Sequence, residues 1–189
     1  MKLNNKYYIM RHGEAMSNVK DIVSCWPEKF KNALTKKGAR MVKKAAEDLK
    51  SKSIDIVFAS DLLRVKETAE IVGKILGIKP KYDKRLREID FGTFNSGPAD
   101  DYDGYFKNDE QMIKRRIPGG ENYSDVSKRM ASFFKEMNSK YKDKNVLIIS
   151  HRDPLFLLEG YAGGLSSLGS VRDVPKNKML HKAEIRKLN

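Results

Sequence analysis

The chain has 189 residues, which is enough for one domain with a sizeable core and short for two. Apolar residues make up 40% and charged residues 33%, and the apolar runs are far shorter than a membrane span, so composition excludes a disordered chain and a membrane-spanning helix. The formal net charge of +13 favours anionic partners such as phosphorylated metabolites, nucleic acid or acidic membrane surfaces.

Strands and helices alternate in the first half of the chain. Short apolar runs at residues 6–10 and 54–59 predict two buried strands. A polar loop follows the first strand. A helix is then expected over residues 36–50, with Thr35 as its N-cap, because apolar residues recur there at three- and four-residue spacing. The same spacing predicts a second helix over residues 62–76.

The second half begins with a less regular stretch. Residues 80–120 are rich in Gly, Pro and Asp, which predicts short helices within a longer connection. A long helix is predicted over residues 123–141, a central strand over residues 146–149, and another helix starting near Pro154. An edge strand is expected at about residues 184–188.

This alternation predicts an α/β fold, a three-layer sandwich in which helices cover both faces of a mostly parallel central sheet. We expect a single domain over residues 1–189. Active sites in such sheets lie at the carboxyl ends of the strands. His12 follows the first strand and His151 follows the central one, so two imidazoles are expected at the same edge.

Four side chains near these strand ends suit phosphoryl chemistry. A neutral imidazole at His12 is a good nucleophile toward phosphorus, although a lone His beside an Arg is more often an ordinary buried histidine. Arg11 offers a planar fork to phosphoryl oxygens, and Arg64 falls where a helix begins, a position that favours phosphate. Glu88 lies between apolar positions and a glycine turn, where a carboxyl group can stay protonated and act as a general acid.

Six short motifs strengthen this interpretation because they follow one another in a fixed order. They are Arg11-His12-Gly13-Glu14 with Asn18, Leu34-Thr35-x-x-Gly38, Ser60-Asp61-Leu62-Leu63-Arg64-x-x-x-Thr68, Leu86-x-Glu88-x-x-x-Gly92, Pro118-Gly119-Gly120-Glu121, and Ser150-His151. The series spans roughly residues 6–160 and resembles the histidine phosphatase superfamily, also called the phosphoglycerate mutase-like family, in its compact phosphatase-type branch. A single Arg-His-Gly is weak evidence, whereas six ordered matches are specific.

The resemblance implies a role for each matching position. His12 would be the phosphorylated nucleophile, and Arg11, Arg64 and His151 would surround the equatorial phosphoryl oxygens. Glu88 would protonate the leaving oxygen and then deprotonate the attacking water. The substrate-binding residues that we expect are Arg11, Asn18, Ser24, Arg64, Glu121 and Arg152.

Three positions leave alternatives open. Glu121 precedes a predicted helix, so it either stabilises the helix N-terminus or serves the site. Arg152 stands where the family usually has Gly, and it either contacts phosphate, narrows the pocket or points to solvent. Trp26 lies in a loop where substrate-facing residues are expected, but an isolated Trp is more often a packing residue than a recognition residue.

Neither a metal nor a cofactor is expected, because the cations implied for the site are side chains. With three histidines and one cysteine, no metal-ligand spacing is visible. Cys25 is the only cysteine, which excludes an internal disulfide and favours a reducing, cytoplasmic compartment. Residues 1–10 contain no apolar stretch of signal-peptide length, so neither export nor a membrane partner is expected.

Hydrolysis of a phosphomonoester is the favoured function, with a phosphorylated small molecule as substrate and a phosphate or sulfate ion expected in the pocket. Phosphoglycerate mutase-type transfer would share the His12 intermediate but pass the group to a retained phosphorylated molecule. The segment of residues 92–120, which we call the excursion, is short for a mutase and is expected to act as a lid or specificity segment. A third alternative is a nucleic-acid-associated or tRNA-synthetase-associated module, which the charge and the basic tail motivate.

Overall fold

The structure, a computed structural model, describes residues 2–163 and 178–188. The strands within these residues are β1 (Lys6–Arg11), β2 (Ile56–Ala59), β3 (Lys81–Tyr82), β4 (Asn145–Ser150) and β5 (Ile185–Lys187). The helices are α1 (Met16–Lys20), α2 (Lys36–Leu49), α3 (Leu63–Leu76), α4 (Ala99–Tyr105), α5 (Asp109–Lys114), α6 (Tyr123–Lys140) and α7 (Arg152–Ala162). None of the helices in the described ranges is long and apolar enough to cross a membrane.

The five strands form one sheet in the order β3-β2-β4-β1-β5. The pairs β1–β4, β2–β4 and β2–β3 are parallel, and β5 pairs antiparallel with β1 at one edge. The mostly parallel sheet and the terminal edge strand are therefore confirmed. In the β1–β4 register Arg11 lies opposite Ser150, so the two strands end together and their following residues enter the same space.

The apolar side chains of β4 alternate between two cores, as the pleat of a strand requires. Val146 and Ile148 pack into the core that includes side chains of α6 and α7. Leu147 and Ile149 pack into the core that includes side chains of α2 and α3. Helices therefore cover both faces of the sheet, which confirms the predicted three-layer α/β fold.

Helix starts and ends follow local chemistry that the sequence shows. The side-chain oxygen of Thr35 accepts a hydrogen bond of 2.9 Å from the backbone N–H of Gly38 and caps α2. Asn122 caps α6 through a reciprocal pair of bonds with Asp125. Gly77, with φ of 69°, ends α3 in the left-handed conformation that glycine adopts without strain.

Two elements were not predicted from the sequence, and both lack an apolar signal. The loop after β1 contains α1, in which only Ser17 of five residues is buried. The irregular stretch contains β3, a two-residue edge strand whose side chains are exposed. The predicted short helices of that stretch are present as α4 and α5.

Hydrogen bonds between backbones tie the excursion to the loop that follows α1. Val23 N–H donates to the carbonyl of Gly97, and Ser96 N–H donates back to the carbonyl of Val23, each at 3.0 Å. Ala99 N–H donates to the carbonyl of Asp21 at 3.0 Å. These bonds join the excursion to the loop between α1 and α2.

The loop that carries His12 lies directly on the first turn of α2. A Cβ atom at Gly13 would lie 2.7 Å from the carbonyl oxygen of Gly38, and a Cβ atom at Gly38 would overlap the backbone of Glu14. The motif Leu34-Thr35-x-x-Gly38 therefore has a packing reason, because only glycine permits this approach.

Gly38→Ala should lower the free energy of unfolding by about 1–3 kcal/mol, because the added methyl group must displace the backbone of Glu14. Urea denaturation followed by circular dichroism measures the change. Gly104→Ala is the matched control, since Gly104 lies in α4 with open space around its Cα. It should leave stability equal or raise it by up to about 1 kcal/mol. Equal destabilisation by both changes would contradict this explanation.

Candidate active site

The two histidines of interest meet at the carboxyl edge of the sheet. His12 follows β1 and His151 follows β4, and both side chains are buried. Their ring centroids are 5.3 Å apart and the ring planes are inclined by 66°. The backbone N–H of His12 donates to the carbonyl of Ser150 at 3.1 Å, which continues the strand pairing by one residue. Strand register thus determines the distance between the imidazoles.

Hydrogen bonds fix the tautomer of His12. Its Nδ1 lies 2.7 Å from the carbonyl oxygen of Gly13, which only accepts, so Nδ1 carries the proton. Its Nε2 lies 3.2 Å from Nε of Arg64, which only donates, so Nε2 presents its lone pair. Burial, together with the charges of Arg64 and Arg11, holds the pKa of His12 well below its usual range. The unprotonated Nε2 is therefore available as a nucleophile at neutral pH.

Arg64 lies at the centre of the site, with only 3% of its surface exposed. Besides His12, its guanidinium donates to Nδ1 of His151 at 2.9 Å and to the carbonyl of Ser24 at 3.0 Å. Because Nδ1 of His151 accepts this bond, Nε2 of that ring donates to the hydroxyl of Ser60 at 3.0 Å. Arg64 lies at the start of α3, as the sequence predicted.

Several buried polar atoms around this arginine lack a hydrogen-bond partner among the described residues. The donors are Nε of Arg11, the hydroxyl of Ser24 and Nη1 of Arg64, and Oε1 of Glu28 is an acceptor in the same state. Buried donors without partners cost free energy, and three of them around one space indicate a site for an anion with several acceptor oxygens. The carboxylate of Glu28, 3.7 Å from Nη1 of Arg64, balances part of the positive charge.

Arg11 lies beside this pocket as the last residue of β1. One Nη of its guanidinium donates to the carbonyl of Leu180 at 3.0 Å, which fixes the side chain against the C-terminal segment. Burial, and secondarily the charge of Arg152, lowers the pKa of Arg11 to about 10. Arg11 stays charged at neutral pH and is stabilised further by an anion.

Glu88 lies close to both Arg64 and His151, with 11% of its side chain exposed. Its Oε2 lies 3.9 Å from Nη2 of Arg64 and 3.7 Å from Nδ1 of His151. Burial, and secondarily the charge of Asp153, raises the pKa of Glu88 to about 7. The carboxyl group therefore holds a proton at mildly acidic pH, as a general acid must.

The loop that carries Glu88 is fixed by Arg129, a residue that sequence reasoning missed. The guanidinium of Arg129 donates to the carbonyl oxygens of Arg85, Arg87 and Glu88 at 2.6, 2.7 and 3.1 Å. It is held in turn by Glu121, whose carboxylate contacts it at 2.9 and 3.0 Å.

Glu121 also accepts a hydrogen bond of 3.0 Å from the N–H of Asp90, so both of its oxygens are engaged. We call Arg129 and Glu121, which together hold the loop of Glu88, the brace. This arrangement supports a structural role over substrate contact, and the role differs from helix N-terminal stabilisation. Cβ atoms at Gly92 and Gly120 would each overlap the backbone of the other segment. The Gly-Gly-Glu motif therefore packs against and supports the loop of Glu88.

The remaining predicted residues lie in different surroundings. The side-chain oxygen of Asn18 accepts from the N–H of Ala15 at 3.0 Å and so caps α1. Ser24 accepts from Arg64 through its backbone, and its hydroxyl is one of the unpartnered donors. Arg152 is 44% exposed in its side chain, and its Nε donates to Asp153 at 2.9 Å. The negative charge of Asp153 raises the pKa of Arg152.

Some of the missed residues had a signal in the sequence and others had none. Thr68 belongs to a quoted motif, and its hydroxyl accepts from the N–H of Gly13 at 3.3 Å and donates to the carbonyl of Arg64 at 2.8 Å. Arg129, Glu28 and Asp153 are charged residues outside the motifs, and nothing in one sequence distinguishes them from solvated charges.

No group of three or more His, Cys, Asp or Glu side chains that could hold a metal ion occurs in the described part of the chain. The lone thiol is structural. Cys25 accepts from the N–H of Phe91 at 3.2 Å, and burial raises its pKa to about 12. Such a thiol is a poor nucleophile.

Arg129→Ala should lower the free energy of unfolding by about 2–4 kcal/mol, because it leaves three carbonyls and a carboxylate without their donor. Arg116→Ala is the control, since Arg116 is exposed and pairs with Asp125 at the surface. That change should cost at most about 1 kcal/mol. Denaturant unfolding of both variants tests the difference, and equal costs would show that the brace is not a stabilising feature.

Comparisons with known proteins agree with the geometry of this site. The family model described as histidine phosphatase superfamily (branch 1) matches residues 7–178. Probable phosphoglycerate mutase GpmB of Salmonella choleraesuis (strain SC-B67) is 30% identical over 152 residues, which cover 76% of this chain and 68% of that protein.

Solved structures give the same picture. Bacillus stearothermophilus YhfR matches with a TM-score of 0.74 and 27% identity, over 85% of this chain and 80% of that one. A mycobacterial glucosyl-3-phosphoglycerate phosphatase matches with a TM-score of 0.77 and 22% identity, over 95% of this chain and 87% of that one. At that identity the second match shows the fold alone. The mycobacterial phosphatase has also been solved with VO3 and with inorganic phosphate.

Proposed function

Since this chain belongs to the histidine phosphatase superfamily (branch 1), we propose that it hydrolyses a phosphomonoester through a phosphohistidine intermediate on His12. The observation that carries the proposal is the environment of His12. Its Nε2 is unprotonated and lies beside the positive charges of Arg64 and Arg11, which attract a phosphoryl group. An anionic phosphoryl group that enters the pocket meets the nucleophile and the charges that compensate the transferring group.

In the first step Nε2 of His12 attacks phosphorus and the bond from phosphorus to the leaving oxygen breaks. The carboxyl group of Glu88 gives its proton to that oxygen, so the leaving group departs as an alcohol. Arg11, Arg64 and His151 lie against the three equatorial oxygens. The unpartnered donors of the empty pocket then find acceptors, which favours the transition state over the free enzyme.

In the second step a water molecule replaces the departed alcohol. The carboxylate of Glu88 takes a proton from this water, whose oxygen attacks phosphorus while the bond to Nε2 of His12 breaks. Inorganic phosphate leaves and both side chains regain their starting state. Because side chains supply all the compensating cations, we propose that the reaction needs neither a metal nor another cofactor.

The substrate is a phosphorylated small molecule under this proposal, and free phosphate or sulfate occupies the same pocket. The phosphate and VO3 bound by the mycobacterial phosphatase support this assignment. Ser24 contributes its unpartnered hydroxyl to phosphoryl binding. Asn18, Glu121 and Arg152 are weaker candidates, since their polar atoms already have partners in the chain. We also propose that the chain forms a single domain in which the excursion acts as the specificity segment.

Mutase-type transfer is the second candidate, because the similar Salmonella protein is named a probable phosphoglycerate mutase. The two activities differ in the acceptor, so parallel assays of phosphate release and of isomer formation from phosphoglycerate separate them. No described feature adds support for a nucleic-acid-associated module, which stays a prediction. A cytoplasmic location also stays a proposal that rests on cysteine usage.

Wild-type protein quenched during turnover of a radiolabelled aryl phosphate should retain one acid-labile label per chain, and His12→Ala should retain none, because the nucleophile is gone. Labelling and phosphate release should both persist in EDTA. His181→Ala is the matched control, since the third histidine is exposed at its position in the C-terminal segment. A label on folded His12→Ala protein would contradict the assignment.

Glu88→Gln should lower kcat/KM for alkyl phosphates by at least about 100-fold and for p-nitrophenyl phosphate by less than about tenfold, because a good leaving group needs no proton. The raised pKa of about 7 adds a pH signature. The acid form is lost as pH rises through 7, so kcat/KM of the wild type for alkyl phosphates should fall above that pH. The Glu88→Gln variant should not show this fall in kcat/KM. If the ratio of kcat/KM between alkyl phosphates and p-nitrophenyl phosphate stays the same in the variant, Glu88 is not the general acid.

A further inference from the structure

The side chain of Trp26 is half exposed, although hydrogen bonds hold the backbone on either side of it. Its exposed fraction is 51%, whereas Ser24 and Cys25 before it are buried. Asn95 fixes the loop from two sides, accepting from the N–H of Cys25 at 3.1 Å and donating to the carbonyl of Pro27 at 2.9 Å. Half of this large apolar side chain therefore stays in contact with water.

A guanidinium group orients the indole ring. Cζ of Arg87 lies 4.3 Å from the ring centroid of Trp26, within the range of a cation–π contact. Arg87 is itself fixed by two hydrogen bonds of 2.7 and 2.6 Å to the carboxylate of Asp61. The ring is thus presented in a defined direction, which reduces the entropy lost when a ligand stacks on it.

Two independent chain segments place this ring beside the phosphoryl pocket. Trp26 lies two residues from Ser24 and two residues from Glu28, and both of those neighbours contact Arg64. Its partner Arg87 directly precedes Glu88, the residue that protonates the leaving oxygen under the proposed function. Under the proposed function, these neighbours place the indole near the group that leaves with the ester oxygen.

The arginine that contacts Trp26 already has a carboxylate partner. Arg87 is neutralised by Asp61, and Arg152 is neutralised by Asp153. A flat apolar group meets an exposed ring face at Trp26 without displacing any of these ion pairs.

We propose that Trp26, oriented by Arg87, forms a stacking rim that selects phosphomonoesters with an aromatic leaving group. This inference rests on the proposed function and adds the substrate class. The rim binds the ring that leaves with the ester oxygen, while the phosphoryl pocket holds the group that is transferred. Stacking of this kind contributes a factor of about five in affinity.

Phosphonates, which resist hydrolysis at phosphorus, test the rim directly. Phenylphosphonate and methylphosphonate differ only in the group that would reach Trp26, so their inhibition constants against p-nitrophenyl phosphate hydrolysis give the preference as a ratio. The wild type should bind phenylphosphonate at least about fivefold more tightly. Trp26→Ala should abolish most of this ratio, and Trp26→Phe should restore part of it. Tyr82→Ala, which removes another exposed aromatic ring, should leave the ratio as in the wild type.

Fluorescence gives a readout that does not depend on turnover or on a variant, because Trp26 is the only tryptophan. Phenylphosphonate should quench or shift its emission, and inorganic phosphate should change it much less. Unchanged emission with bound phenylphosphonate, or an unchanged ratio in folded Trp26→Ala, overturns the rim. Should Trp26→Ala not fold, the wild-type emission and Trp26→Phe decide. Failure of phosphate and both phosphonates to bind overturns the proposed function itself, and the rim with it.

Discussion

The buried guanidinium of Arg64 is the group on which the rest of the site depends. It hydrogen-bonds both imidazoles and the backbone of Ser24, so it links the ends of β1 and β4 with the loop after α1. A buried charge costs several kcal/mol unless it is compensated, and Glu28 provides only part of the compensation, at 3.7 Å. Burial, and secondarily the charge of Arg64, lowers the pKa values of His12 and His151, while burial raises that of Glu88. The nucleophile thus stays free of protons beside a carboxyl group that retains one at mildly acidic pH.

Much of this arrangement could be predicted from the sequence because it depends on local signals. The apolar runs that become β1 and β4 fixed where His12 and His151 lie, and parallel pairing then brought the two rings together. Thr35 and Asn122 cap the helices that they precede. Such features need only a residue type and its immediate neighbours, which is why α1 and β3, with no buried apolar pattern, were missed.

Pairings between distant charges could not be predicted for the opposite reason. The chain has 38 basic and 25 acidic residues, so any given carboxylate has many candidate partners. Arg129 and Glu121 became a brace for the loop of Glu88 only because α6 passes beneath residues 85–88. Asp153 influences the pKa of Glu88 from the first turn of α7, although its sequence neighbours suggest only a surface ion pair with Arg152. Tertiary packing, and no local pattern, selects these partners.

The backbone hydrogen bonds between residues 21–23 and 96–99 join the loop that carries Trp26 to the excursion. Transfer of the phosphoryl group depends on strand ends and buried side chains, which tolerate little change. Trp26 lies on a loop that is joined to the excursion, so changes in the excursion act on the ring that we propose to contact the leaving group. Leaving-group preference can therefore change through the excursion while the strand ends that carry the transfer chemistry keep their sequence.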